Sequence, residues 1–67
     1  MISGKIIHLT EKGFGFIQSD EYPENLFFHA RELKNGRIEE LQNGDAVEFE
    51  EAIQGEKGMA ARKITIL

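Results

Sequence analysis

The most informative part of this chain is Lys12-Gly13-Phe14-Gly15-Phe16-Ile17. Two phenylalanines alternate with glycine, so strand periodicity places both rings on one face. If Ile17 points into the core, Phe14 and Phe16 face solvent. Adjacent exposed rings lower solubility and need a reason, and a stacking platform for nucleobases is one. The structural alternative is that both rings lie in the core and Ile17 is exposed.

A second aromatic strand, Leu26-Phe27-Phe28-His29, strengthens the first interpretation. Alternation places Phe27 and His29 on one face of this strand and Phe28 on the other. Paired beside the first strand, it predicts one continuous surface made of Phe14, Phe16, Phe27 and His29. With Lys12 at its edge to meet a phosphate, such a surface is typical of nucleic-acid binding.

Turn signals such as Asn35-Gly36 and Asn43-Gly44 recur every ~8–12 residues, which is typical of a small all-β barrel or sandwich. They separate five predicted strands at roughly residues 2–10, 14–19, 25–30, 45–53 and 59–67. A closed barrel suits so short a chain because closure removes unpaired strand edges. Residues 30–42 are predicted to form a long connection with a helical turn at most.

Period-2 alternation also predicts the core of this barrel. In the fourth strand it places Ile53 on the same side as Val47 and Phe49, opposite the glutamates. The predicted core consists of Ile6, Ile17, Leu26, Phe28, Val47, Phe49, Ile64 and Ile66.

Composition limits the possible functions of the chain. Its 67 residues form one small domain, residues 1–67, with a net charge of −4 that argues against holding duplex DNA mainly by charge. It has no cysteine, and its apolar runs are too short for a membrane span, so we expect a soluble, cytoplasmic protein. Two histidines alone make a poor metal site, and no catalytic constellation is present. We therefore expect no enzyme, no metal and no cofactor.

The chain resembles the bacterial cold-shock proteins. Lys12 to Ile17 matches the first ribonucleoprotein motif of that family without a change, and Leu26 to His29 is similar to the second, Val-Phe-Val-His. The likeness continues through residues 41–50 and 55–64, so it covers nearly the whole chain. It implies a five-stranded antiparallel OB-type closed barrel, single-stranded RNA or DNA as partner, and an RNA-chaperone role.

The resemblance also assigns roles to individual residues. Phe14, Phe16, Phe27 and His29 would stack on bases, Lys12 would lie near the backbone, and Lys57 could approach it from the last loop. Where the family usually has aromatic rings, this chain has His8 for a tryptophan, Ala30 for a ring after the second motif, and Ile38 for a loop phenylalanine. The predicted binding residues are Lys5, His8, Lys12, Phe14, Phe16, Phe27, His29, Ile38 and Lys57.

The missing rings leave two functions open. At about 1–3 kcal/mol per stacked base, their loss predicts weaker binding of single strands than in a fully aromatic relative. The alternative is that the apolar face binds a protein partner, with weak or no nucleic-acid binding. In either case we expect a monomer with no membrane and no small-molecule substrate as partner.

Overall fold

The computed structural model describes residues 1–56 and 58–67. Five strands follow the predicted order, with strand ends within two residues of those predicted, whereas residues 30–42 contain two single turns of 3-10 helix where the sequence predicts one at most. The elements in chain order are β1 (Ile2–Leu9), β2 (Phe14–Gln18), β3 (Leu26–His29), η1 (Ala30–Glu32), η2 (Ile38–Glu40), β4 (Ala46–Gly55) and β5 (Gly58–Ile66). Across the part of the chain that the structure describes, no helix has the length and apolar character needed to cross a membrane.

The strands close into a barrel in the order β1-β2-β3-β5-β4, which confirms the predicted all-β, five-stranded closed barrel. Four of the strand pairs are antiparallel, as the resemblance implies, but the pair of β3 with β5 departs from it and is parallel, with Phe27 opposite Ala60. Parallel neighbours need a long crossover between them. Here the crossover is the segment that contains η1, η2 and β4, so β5 returns beside β3 in the same direction.

The core confirms most of the pattern expected from alternation. Among the described residues, the buried hydrophobic side chains are Ile6, Ile17, Leu26, Phe28, Leu41, Val47, Phe49, Ala61 and Ile64. Seven of the eight predicted core residues are in this cluster. The eighth, Ile66, is only half-buried and packs against its edge, whereas Leu41 and Ala61 were not predicted.

Strict alternation fails in the paired strands β4 and β5. Ala61 and Ile64 are both buried although they are three residues apart. Between them Lys63 has a φ of 57°, in the left-handed region that non-glycine residues rarely adopt, and the strand changes face there. In β4, Phe49 is buried while Ile53 is 41% exposed, so the prediction that Ile53 shares the inner face is wrong.

The segment that follows η1 covers the part of the β5 edge that lies beyond its pairing with β3. The Lys34 N–H donates to the Ile64 carbonyl at 2.7 Å. The Asn35 side chain then makes two bonds with the Ile66 backbone, donating to its carbonyl at 3.0 Å and accepting from its N–H at 2.8 Å. These hydrogen bonds occupy backbone groups of β5 in the way that a neighbouring strand would. They therefore protect an edge that could otherwise pair with another chain, and they hold η1 beside β5.

Candidate nucleic-acid interface

The pairing of β2 with β3 decides which way the phenylalanine rings point. In this register Phe14 faces His29, Gly15 faces Phe28, Phe16 faces Phe27 and Ile17 faces Leu26. Ile17 and Phe28 are completely buried, whereas Phe14, Phe16 and Phe27 are half-buried on the opposite side of the sheet. The structural alternative, with Phe14 and Phe16 in the core and Ile17 exposed, is therefore wrong.

The outward-facing rings pack against one another. The centroids of Phe14 and Phe27 are 5.2 Å apart, and Phe16 lies edge-on to both, at 5.9 Å from Phe27 and 6.4 Å from Phe14. These separations are in the range of favourable aromatic pairs. The rings therefore shield one another from water, which explains why they are half-buried on the outside of the barrel. We call these three rings, with His8 and His29, the aromatic surface.

A β-bulge in β1 brings His8 onto the aromatic surface. Ile6 pairs with Ile17 and His8 pairs with Phe16, so β1 has one extra residue, Ile7, between two consecutive residues of β2. Bulges of this kind re-aim side chains. Ile6 is consequently buried while His8 is exposed, with its ring centroid 6.0 Å from that of Phe16.

His29 is held at the other side of the aromatic surface by the start of η1. Its Nδ1 accepts a hydrogen bond from the backbone N–H of Arg31 at 3.2 Å, so the imidazole caps this short helix. Because Nδ1 accepts, the neutral ring carries its proton on Nε2. The bond orients the ring and leaves Nε2–H as the donor that a ligand could meet.

Gly15 allows β2 to lie close to the backbone of β1 and to the buried ring of Phe28. A Cβ at this position would lie 2.6 Å from the carbonyl oxygen of His8 and 2.9 Å from Cε1 of Phe28. Gly15→Ala is therefore expected to cost about 1–3 kcal/mol of stability by overpacking. In a domain of this size, each kcal/mol lowers Tm by roughly 4–8 °C. Thermal denaturation followed by circular dichroism would measure the loss.

Gly55→Ala is the control for that substitution. Gly55 is exposed at the end of β4, and the nearest atom to its added Cβ would be the Gly58 carbonyl oxygen at 3.3 Å. The Tm of Gly55→Ala should therefore differ from that of the wild type much less than the Tm of Gly15→Ala does. Equal Tm values for the two variants would contradict the close packing assigned to Gly15.

Lys12 lies in the turn between β1 and β2, immediately before the aromatic surface. Its side chain is exposed, and its backbone N–H donates to Thr10 Oγ1 at 3.3 Å. Thr10 Oγ1 in turn donates to the Phe14 carbonyl at 3.0 Å, which ties the turn to the start of β2. This position at the edge of the rings is the one the sequence predicts for a phosphate contact. Lys57 lies outside the described residues.

The remaining two predicted residues are not part of the aromatic surface itself. Lys5 is exposed on β1 opposite Gln18, one outward-facing position beyond the pair of His8 and Phe16, and shares a shallow hollow of about 330 Å³ with Asp20. Ile38 lies in η2, where its half-buried side chain packs against the core. The structure thus brings together the five residues of the aromatic surface, with Lys12 and Lys5 at its margins.

Two ion pairs lie around β4 and β5. Lys34 Nζ lies 2.7 Å from Glu50 Oε2, and this hydrogen bond and charge lower the pKa of the Glu50 carboxyl. Arg62 Nε lies 3.6 Å from Glu32 Oε1. Within the described residues, no group of three or more His, Asp or Glu side chains could hold a metal ion.

Comparisons with known proteins identify the family of this chain. The family model of the "cold-shock" DNA-binding domain matches residues 3–67. The chain belongs to the cold-shock domain family. Temperature acclimation protein A of Pseudomonas fragi is 44% identical over 54 residues, covering 81% of this chain and 88% of the relative. Cold shock protein ScoF of Streptomyces coelicolor is 43% identical over 56 residues, covering 84% and 82%.

A solved structure of Drosophila Unr CSD456 has the same fold. It is 39% identical in sequence, and its match has a TM-score of 0.80 and covers 98% of this chain but only 26% of that longer chain. Family membership assigns nucleic-acid binding to this cold-shock domain and places it in a family without enzymatic activity.

Proposed function

We propose that this cold-shock domain binds single-stranded RNA or DNA by stacking bases on the aromatic surface. The observation that carries the proposal is the outward-facing cluster of Phe14, Phe16 and Phe27, whose rings contact one another above a buried layer of Ile17 and Phe28. Every base offers a flat π-face, so such a surface captures unpaired bases with little sequence preference. Paired bases keep their faces inside the helix, which favours single strands.

The affinity is expected to be modest. Relative to the aromatic pattern of the family, the chain has His8, Ala30 and Ile38 at ring positions, and each lost stack removes about 1–3 kcal/mol. The net charge of −4 also limits the contribution of phosphate contacts. A submicromolar Kd for a short pyrimidine strand at physiological salt would contradict this expectation.

Transient capture of unpaired bases gives the domain an RNA-chaperone-like role. By binding the open form of an RNA and not its misfolded hairpin, the domain would shift the equilibrium towards the open form by mass action. The step requires no cofactor and no small-molecule substrate. We propose that it takes place in the cytoplasm, with the domain acting as a monomer.

An amide-resolved NMR titration with a short oligothymidine and a matched oligouridine tests the proposal. Shifts should concentrate on residues 12–16 and 27–29, and binding should weaken as salt rises. A well-folded spectrum that responds to neither strand would overturn it. That result would favour the alternative in which the aromatic surface anchors a protein partner, since apolar anchoring responds little to salt.

Enlarging the ring at position 8 is expected to tighten binding. His8 is exposed and lies 6.0 Å from Phe16, so a tryptophan there extends the aromatic surface without entering the core. An additional stacking gain of about 1 kcal/mol would lower Kd roughly fivefold for His8→Trp. The chain has no other tryptophan, so quenching of the new indole fluorescence reports binding directly.

His8→Ala is the companion variant, and we expect it to bind more weakly than the wild type in the same NMR titration. If His8→Trp and His8→Ala both bound with wild-type affinity, position 8 would lie outside the site.

A further inference from the structure

A groove continues from the aromatic surface along the seam where β3 and β5 pair in parallel. It has a volume of about 490 Å³, and its lining includes Phe27, His29, Arg31, Glu32, Ile53 and Arg62. A second hollow of about 280 Å³ adjoins it and shares Phe27, Arg31 and Ala60 with it. Because Phe27 and His29 belong to both the aromatic surface and the groove, a strand stacked on the rings has a direct path into the groove.

Arg31 lies where the two hollows meet. Its side chain is exposed, while its backbone N–H is fixed by the bond to His29 Nδ1. The start of the side chain is therefore held beside the aromatic surface. A guanidinium group donates two parallel hydrogen bonds to a phosphate, and this geometry makes arginine a preferred phosphate contact.

The second guanidinium of the groove, that of Arg62, is engaged by an acid. Its Nε lies 3.6 Å from Glu32 Oε1, a separation longer than a good hydrogen bond, and both side chains are partly exposed. The same Glu32 oxygen accepts the backbone N–H of Lys63 at 3.3 Å. A long and partly exposed pair of this kind is weak, so a phosphate could compete with Glu32 for Arg62.

We propose that this groove carries the sugar–phosphate backbone of the bound single strand away from the aromatic surface, with Arg31 as its phosphate contact and Glu32 as an opposing charge. This inference rests on the proposed function, since the strand enters the groove only if its bases stack on the rings. It gives a chain of net charge −4 a local site for phosphate.

The first test compares Arg31→Ala with Lys34→Ala in binding a short oligothymidine over a range of salt concentrations. Both substitutions remove one positive charge, but Lys34 is paired with Glu50 and does not line the groove. For Arg31→Ala the slope of log K against log salt should become shallower by about 0.7, the value for one single-strand phosphate. Its affinity should fall about two- to fivefold, whereas Lys34→Ala should keep the wild-type slope.

The second test removes a negative charge from the groove instead of a positive one. Glu32→Gln removes the acidic charge but keeps an oxygen that can accept from Lys63, and its matched control is Glu50→Gln, whose acid also pairs with a cation. Glu32→Gln should bind the strand about two- to fivefold more tightly and with a steeper salt dependence, because Arg62 becomes available to the phosphate. Glu50→Gln should match the wild type.

These outcomes separate the inference from the proposed function. A wild-type protein that binds no single strand overturns both. A wild type that binds, with Arg31→Ala and Glu32→Gln keeping its affinity and its salt slope, overturns the groove alone. Equal effects of Lys34→Ala and Arg31→Ala would also overturn it, because the response would then follow net charge and not position.

Discussion

Replacing Phe27 by alanine is expected to weaken binding of a short pyrimidine strand by about 5- to 150-fold while the barrel stays folded. The factor corresponds to the loss of about 1–3 kcal/mol for one stacked base. Phe27 contacts both Phe14 and Phe16, and it also lines the groove beside β5, so a strand cannot cross the site without meeting it. Its ring is half-buried on the outer face, so its removal opens no cavity in the core.

Titration calorimetry at a fixed salt concentration would measure the loss, together with a thermal melt of the same sample. The control is Leu67→Ala, which removes an apolar side chain that is 68% exposed and keeps the backbone bond from Leu67 to Ala46. It should bind as the wild type does. If Phe27→Ala bound with wild-type affinity, the Phe27 ring would not be part of the binding site. If Phe27→Ala were unfolded, the outer rings would serve stability.

The aromatic surface could be predicted from sequence because two strands carry it with uninterrupted alternation. Once Ile17 and Phe28 are assigned to the core, Phe14, Phe16 and Phe27 must lie outside, and the register of β2 with β3 confirms this. His8 is different. Alternation alone would give Ile6 and His8 the same face, and only the extra residue in β1 separates them, so the position of His8 followed from the family resemblance and not from periodicity.

What the sequence could not reveal depends on contacts between distant segments. The change of face at Lys63 requires a φ of 57° at a residue with no intrinsic preference for it, so the burial of Ala61 was not predicted. The burial of Leu41, next to η2, was equally hidden. The groove could not be predicted because it depends on the parallel pairing of β3 with β5. This pairing brings η1 beside β5 and places Arg31 and Arg62 along one cleft. No local pattern distinguishes Arg31 from the other basic residues.

Replacing Phe28 by alanine is expected to have the opposite effect to Phe27→Ala. The fold should be lost, although the residues of the binding surface are unchanged. Phe28 is completely buried and is one of the two largest side chains in the core. Truncating a buried phenylalanine costs about 3–5 kcal/mol. Below about 70–80 residues a single core rarely supplies more than about 3–5 kcal/mol in total, so in this chain of 67 residues the variant should be partly or wholly unfolded at 25 °C.

Urea denaturation would measure the change, with Phe27→Ala as the matched neighbour and Phe28→Leu as a milder truncation that should retain the fold. A saturating single strand adds a further test, because a ligand at 100 times its Kd stabilises the folded state by about 2.7 kcal/mol. It should therefore refold part of the Phe28→Ala population, whose aromatic surface is intact once folded. The same strand concentration should stabilise Phe27→Ala much less, because Phe27→Ala is folded but has lost the ring that binds. If Phe28→Ala kept wild-type stability, Phe28 would not belong to the core, and the assignment of the opposite face to nucleic acid would fail with it.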